Sequence, residues 1–256
     1  MSTPIKVPEV KILGIPGIPI VEEGDDLVAC IHAAATAAQL TFEAGDVLVV
    51  TQKIVSKAEG CLISLKDITP TPFAEAYARQ WDKDPRSVEV VLQQSRRIAK
   101  MDRGVLIAET HHGLICANAG VDQSNMEGDE VVAVLPPDPD GSARAIRDGL
   151  KARTGVDIAV IIADTFGRPW RQGLVNVAIG LSGIAAVRDY TGMHDAQGYE
   201  LRVTALAVAD ELAAAAELVM NKLDNVPVAL IRGYDYPRGE DTVSDLMRDP
   251  EFDLFR

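Results

Sequence analysis

Val156 to Ala163 read as a buried strand, and Asp164-Thr165 follow directly at its end. Any fold of this chain must hide that strand and still find a partner for Asp164. A carboxylate beside apolar surface is costly unless hydrogen bonds or a cation compensate it. A second segment repeats the problem: Gly120-Val121-Asp122-Gln123-Ser124-Asn125 carries an acid from an apolar run into a polar loop. Two carboxylates, the Thr165 hydroxyl, Asn125 and the downstream arginines are suitable parts for holding a hard cation such as Mg²⁺ against phosphates. Asp and Asn also shape turns, so the residues alone leave both readings open for each segment.

The 256 residues suffice for a sizeable core, in one large domain or two lobes. The formal net charge of −13 argues against a nucleic-acid or anionic-membrane surface. A phosphate-bearing ligand must then be met by a local basic cluster or by metal. No apolar signal-peptide core follows Met1. The longest apolar run, Leu174 to Val187, is too short to cross a bilayer. The expected location is the cytoplasm, with no membrane partner. Cys30, Cys61 and Cys116 are widely spaced and odd in number, which suits reduced, packed thiols. His111-His112-Gly113 suits a hairpin turn, and no His/Cys ligand spacing accompanies it to make a zinc site.

Gly24-Asp25-Asp26 opens a helix with an acidic first turn, running through the alanine-rich stretch to Leu40. Asp46 to Val50 reads as a strand. Pro72 to Trp81 and Pro85 to Lys100 read as two helices, each with proline near its start. Gly104 to Glu109 and Leu114 to Ala119 read as a hairpin, and Val131 to Leu135 as another strand. Asp138-Pro139-Asp140-Gly141-Ser142 introduces a helix from about Ala143 to Arg153, its polar residues being capping chemistry in preference to catalysis. Val175 to Val187, with Gly180 and Gly183, suits a strand broken by a bulge or bend. Thr204 to Met220 reads as a helix and Val226 to Arg232 as the last strand. Strands and helices mix without a regular βαβ repeat. The expected class is therefore α+β, with mixed or antiparallel sheets and packed helices.

The glycine-rich phosphate loops G-x-x-x-x-G-K-[ST] and G-x-G-x-x-G are absent, as is the G-x-S-x-G nucleophile elbow. Gly14-Ile15-Pro16-Gly17-Ile18-Pro19 would bring backbone close to a ligand. In Thr51-Gln52-Lys53-Ile54-Val55-Ser56-Lys57, the two lysines either rest over a phosphate or line a solvated loop. Arg168 and Arg171 suit bidentate binding of phosphate or carboxylate, and Trp170 between them shields that contact or packs. Together these parts point to metal-assisted phosphoryl chemistry without naming a substrate.

With those segments in view, the chain resembles the coenzyme F-420-0:L-glutamate ligase family, the γ-glutamyl ligases of deazaflavin cofactor synthesis. The resemblance rests on Glu23-Gly24-Asp25-Asp26, Gly45-Asp46-Val47-Leu48-Val49-Val50, Ser56-Lys57-Ala58-Glu59-Gly60 and Asn118-Ala119-Gly120-Val121-Asp122-Gln123-Ser124-Asn125. It continues through Leu135-Pro136-Pro137-Asp138-Pro139-Asp140-Gly141-Ser142-Ala143, Ile162-Ala163-Asp164-Thr165-Phe166-Gly167-Arg168 and Ala178-Ile179-Gly180-Leu181-Ser182-Gly183. These occur in order over roughly residues 10 to 235.

The resemblance implies GTP-dependent addition of L-glutamate to coenzyme F-420-0 through an acyl phosphate, with Mg²⁺ or Mn²⁺ and room for a monovalent cation. Asp122 and Asp164 would ligate one metal, and Thr165 would help hold a second. Ile18, Pro19, Ile20, Val21, Gln52, Lys53, Lys57 and Asn125 would line the GTP site. Lys57 would share in catalysis with the two acids, and Arg168 or Arg171 would grip the acceptor. The implied fold is the family's α+β fold in an intertwined homodimer. Residues 1–256 would form one ligase region, in one or two lobes, without the C-terminal nitroreductase-like domain of some actinobacterial relatives. Archaeal relatives carry a glycine-rich loop with a metal-binding acid after the long helix. Here Met220-Asn221-Lys222-Leu223-Asp224-Asn225 stands there, with Lys222 near that place and Asp224 the candidate substitute. Two other functions use the same parts: a metal-dependent phosphotransferase or phosphohydrolase, and a nucleotide-binding protein without turnover.

Overall fold

Residues 47–50 and 159–163 carry no polar side chain, and they lie side by side at the centre of the molecule with at most 1 % of their surface exposed. The computed structural model describes residues 7–122 and 130–253. In chain order the elements are β1 (Lys11–Gly14), α1 (Leu27–Ala37), β2 (Val47–Thr51), α2 (Gln52–Ala58), β3 (Leu62–Ser64), α3 (Pro72–Trp81), α4 (Pro85–Gln93), β4 (Ser95–Asp102), β5 (Val105–Thr110), β6 (Ile115–Ala117), β7 (Val131–Ala133), α5 (Pro139–Thr154), β8 (Ala159–Arg168), β9 (Arg171–Ser182), β10 (Arg188–Asp189), β11 (Ala205–Leu206), α6 (Val208–Met220) and β12 (Val228–Arg232). The class is mixed α and β, as expected.

The main sheet has the order β1-β12-β2-β8-β9. Its β2–β8 pair is parallel and its other pairs are antiparallel. Alternation of side chains along a strand divides the central residues between two faces. Leu48, Val50, Val160 and Ile162 meet Leu27 and Ile31 of α1, Ile54 of α2 and Ile146 and Leu150 of α5. Val47, Val49, Ile161 and Ala163 meet Leu212, Ala213 and Ala216 of α6. The small residues of α6 let that helix lie close to the sheet. A separate three-stranded sheet, β4-β5-β6, packs with α3 and α4 around Tyr77, Val88, Val91 and Leu106.

Several boundaries differ from expectation. The helix beginning at Pro85 ends at Gln93, and residues 95–102 form β4. Pairing with β5, including an Arg97–Glu109 contact of 2.6 Å, outweighs the local helical tendency. The helix expected from Ala143 starts earlier, at Pro139, with Asp138 accepting the Gly141 amide at 2.9 Å. This is capping chemistry with proline in the first turn. Strand β8 does not stop before Asp164 but runs on to Arg168, because β9 pairs with it through the hairpin. The expected irregularity in β9 is present: Ile162 pairs with Gly180 but Ala163 with Ala178, which bulges Ile179. Gly180 also faces the first turn of α5, where a Cβ would stand 2.4 Å from the Pro139 carbonyl. Among the described residues the three cysteines are free, and no helix is long and apolar enough to cross a membrane.

Candidate functional site

Strand β2 hands over directly to α2, a short helix in place of the loop considered from sequence. Gln52, at its first position, is 2 % exposed. Ser56, one turn on, puts Oγ 2.7 Å from Gln52 Oε1 and 2.8 Å from the Val134 carbonyl. With its oxygen so engaged, the amide presents its N–H groups to Asp164, with which it hydrogen-bonds. Lys53 sits beside it and places Nζ 2.8 Å from Asp122 Oδ2. Lys57 follows Lys53 one turn later and is partly exposed.

Asp122 is fixed through its backbone. It exchanges two hydrogen bonds with Ala133, of 2.9 and 2.8 Å, at the end of β7. The three residues before Val121 take left-handed backbone angles, with φ of 52° at Asn118, 52° at Ala119 and 71° at Gly120. That conformation is costly for the two residues bearing a Cβ. The tight turn it makes delivers Val121 and Asp122 from β6 to β7.

Asp164 arrives on β8, on the same side of the sheet as Val160, Ile162 and Phe166. Burial and, after it, the charge of Asp122 push its carboxyl up to about 6, against opposing hydrogen bonds from the Thr165 amide and Gln52. The same carboxylate helps burial push the Cys116 thiol up to about 12, so that cysteine stays protonated and inert. Two neighbouring oxygen-donor carboxylates, one of them paired with Lys53, are a fitting ligand pair for Mg²⁺ or Mn²⁺. Among the described residues no three Asp, Glu, His or Cys side chains gather as a metal site. A cation here would therefore complete its shell with other oxygens, including those of substrate.

Thr165, the next residue, points to the opposite face, as a strand requires. There Thr165 Oγ1 donates to Asn176 Oδ1 at 2.7 Å, and Asn176 Nδ2 donates to Glu217 Oε2 at 2.7 Å. Lys222 closes the ring with Nζ 2.7 Å from Thr165 Oγ1 and 2.8 Å from Glu217 Oε1. Thr165 thus belongs to a polar cluster under α6, not to the Asp122 side of the strand. Asn176 and Glu217 escaped the sequence reading. Their signal was a polar residue inside an apolar strand and an acid inside an alanine-rich helix, both of which are common on surfaces. Asp224 accepts from Asn221 Nδ2 at 2.8 Å in the exposed turn after α6.

The other expected residues are dispersed. Val21 is 3 % exposed and packs in the core, whereas Ile20 is 85 % exposed, Pro19 is exposed and Ile18 is partly buried. Arg168 and Arg171 pair across the tip of the β8–β9 hairpin, and Arg168 Nη2 donates to the Gln172 carbonyl at 2.7 Å. At the ordinary strand rise the tip is about 13 Å along β8 from Asp164. Asn125 lies outside the described residues, as do Gln123 and Ser124.

The F420-0:Gamma-glutamyl ligase family model matches residues 17–233. Three similar proteins bear the name coenzyme F420:L-glutamate ligase. That of Methanothermobacter thermautotrophicus is 44 % identical over 250 residues, covering 96 % of this chain and 99 % of the relative. That of Methanopyrus kandleri is 44 % identical over 258 residues, with 98 % and 99 % covered. That of Methanocaldococcus jannaschii is 40 % identical over 249 residues, with 97 % of each covered.

Proposed function

The chain belongs to the F420-0:Gamma-glutamyl ligase family, and we propose that it joins L-glutamate to coenzyme F-420-0, with GTP as phosphoryl donor and as a homodimer. What supports this reading most is the meeting of Asp122 and Asp164, from separate segments, beside Lys53 and Gln52 of one short helix. A site that phosphorylates a carboxylate must hold polyphosphate and carboxylate together although both are anionic. In a chain of net charge −13, that demands concentrated local positive charge.

A carboxylate is a poor acyl donor because oxide would have to leave. In this reading the terminal carboxylate of the acceptor attacks the γ-phosphorus of GTP, and the bond to GDP breaks. The acyl phosphate formed then receives the α-amine of L-glutamate at its carbonyl carbon. Inorganic phosphate departs with the electron pair, and the amine gives up a proton. A bound Mg²⁺ or Mn²⁺ would neutralise charge on the phosphate oxygens. Asp122 and Asp164 would hold that ion. Lys53, released from Asp122, and Lys57 on the same helical face would orient the nucleotide and stabilise its developing charge. Gln52, locked by Ser56, would keep Asp164 aimed. Residues 18–21 and Asn125 would contribute to the nucleotide site, and Arg168 or Arg171 to the acceptor.

The test is incubation of purified protein with the tail-less deazaflavin, GTP, L-glutamate and Mg²⁺ or Mn²⁺. Mass spectrometry should find a product heavier by one glutamyl residue, joined through the glutamate α-amine, with GDP and phosphate released. GTP cleavage indifferent to both acceptor and glutamate, with no mass increase, would identify a hydrolase. Nucleotide binding with no cleavage in any mixture would identify a binding protein. Either result refutes the ligase.

A further inference from the structure

The cluster under α6 has the chemistry of a cation site with the cation already in it. Thr165 Oγ1 and Glu217 Oε1 lie 2.7 and 2.8 Å from one ammonium, that of Lys222. Asn176, only 4 % exposed, accepts from Thr165 Oγ1 and donates to the other carboxylate oxygen of Glu217, Oε2, so both side chains are held in place by a buried amide. Hydroxyl and carboxylate oxygens are the ligands that Mg²⁺ and Mn²⁺ prefer. A divalent ion entering there would have to displace Lys222 against the repulsion of its charge. The second metal that the family resemblance implies at Thr165 therefore does not fit the residues present.

We propose that the Lys222 ammonium is a built-in cation, standing at Thr165 and Glu217 in place of a second divalent metal, so that each chain takes one metal ion. The role is one of positioning and charge supply: the lysine is tethered by side chains on β8 and α6, and its charge reaches Asp164 on the neighbouring position of the strand. Its meaning for catalysis rests on the ligase reading, but the metal count does not.

The count is made by titrating the full chain with Mn²⁺ and following free Mn²⁺ by electron paramagnetic resonance, with and without a non-hydrolysable GTP analogue. Wild type should saturate at one Mn²⁺ per chain. Lys222→Met keeps the length of the side chain but removes its charge at an exposed position, and should saturate at two. Lys222→Arg, which keeps the charge, should remain at one. Thr165→Val added to Lys222→Met should bring the count back to one. Two ions on the wild type, or one on Lys222→Met, overturns the proposal. Absence of glutamyl product in the separate turnover assay would instead refute the ligase reading and leave the metal count standing.

Discussion

Replacing Asp164 by Asn separates stability from activity in a way the geometry makes quantitative. The carboxyl is raised from its ordinary 3.8 to about 6, chiefly by burial and then by Asp122. At ~1.4 kcal/mol per pKa unit, keeping it ionised costs the fold up to about 3 kcal/mol. Because the side chain is only partly buried by accessible surface, about 1–3 kcal/mol is the fairer range. Asn preserves the shape and still offers an oxygen to the Gln52 amide. In metal-free buffer containing a chelator, Asp164→Asn should therefore be more stable than wild type at about pH 8. The direction with pH follows from linkage. The folded protein holds more protons than the unfolded chain between the two pKa values, so wild type loses stability as pH rises from about 4 to about 6. The advantage of the variant should be full above about 6, shrink as pH falls and vanish near 4. Saturating Mn²⁺ should also erase it, since an ion that binds only the folded wild type stabilises that protein. Urea-denaturation midpoints at the two pH values, with and without Mn²⁺, measure all of this. A variant less stable than wild type in chelator at about pH 8, or a difference that ignores pH, would refute the assignment of Asp164 as the uncompensated charge.

Lys53→Met removes the ammonium that competes for Asp122, so Mn²⁺ should bind more tightly even as ligase turnover falls by about tenfold to a hundredfold; weaker Mn²⁺ binding by titration would contradict the displacement of Lys53 by metal. Gly180→Ala puts a methyl 2.4 Å from the Pro139 carbonyl, where only backbone can yield. It should cost about 1–3 kcal/mol as overpacking, read as a lower urea midpoint with the ligase reaction intact in the folded fraction.

The sequence exposed the core of this fold where a single element carried its own signal. The apolar strand at 47–50, the capped helix after Asp26 and the prolines opening α3 and α4 are local features, and each was readable from its own residues. Helix α2 was not, because seven residues between a strand and Gly60 offer too few turns for a periodic pattern. Strand β4 was misread because its charged, bulged run resembles a helix surface and is decided by its partner β5. The acids at 122 and 164 stood out because a carboxylate next to an apolar run is unusual. Their convergence was not legible: it depends on a left-handed turn and on β2 lying parallel to β8. The end of β8 mattered most. Read as a loop, Asp164-Thr165 can face one ligand together; as strand, they must face opposite ways, and Thr165 passes to α6.

That parity explains the electrostatics of the whole region. Lys53 is matched to Asp122 and Lys222 to Glu217, each at 2.8 Å. Among the described residues Asp164 makes no ion pair and relies on hydrogen bonds from the Thr165 amide and Gln52, and burial, followed by the charge of Asp122, raises its pKa. Among the described residues the side of β8 that α2 faces is thus short of one positive charge. One divalent ion there would more than neutralise Asp164 and would let Lys53 turn from Asp122 toward an incoming phosphate. The site would then become locally positive within a strongly acidic chain, as a polyphosphate would require. Were Lys222 also displaced by metal, its ammonium would be lost from the cluster beneath the strand, and Glu217 would need the new ion merely to restore balance. Keeping the lysine would achieve the same sign with a single exchangeable cation.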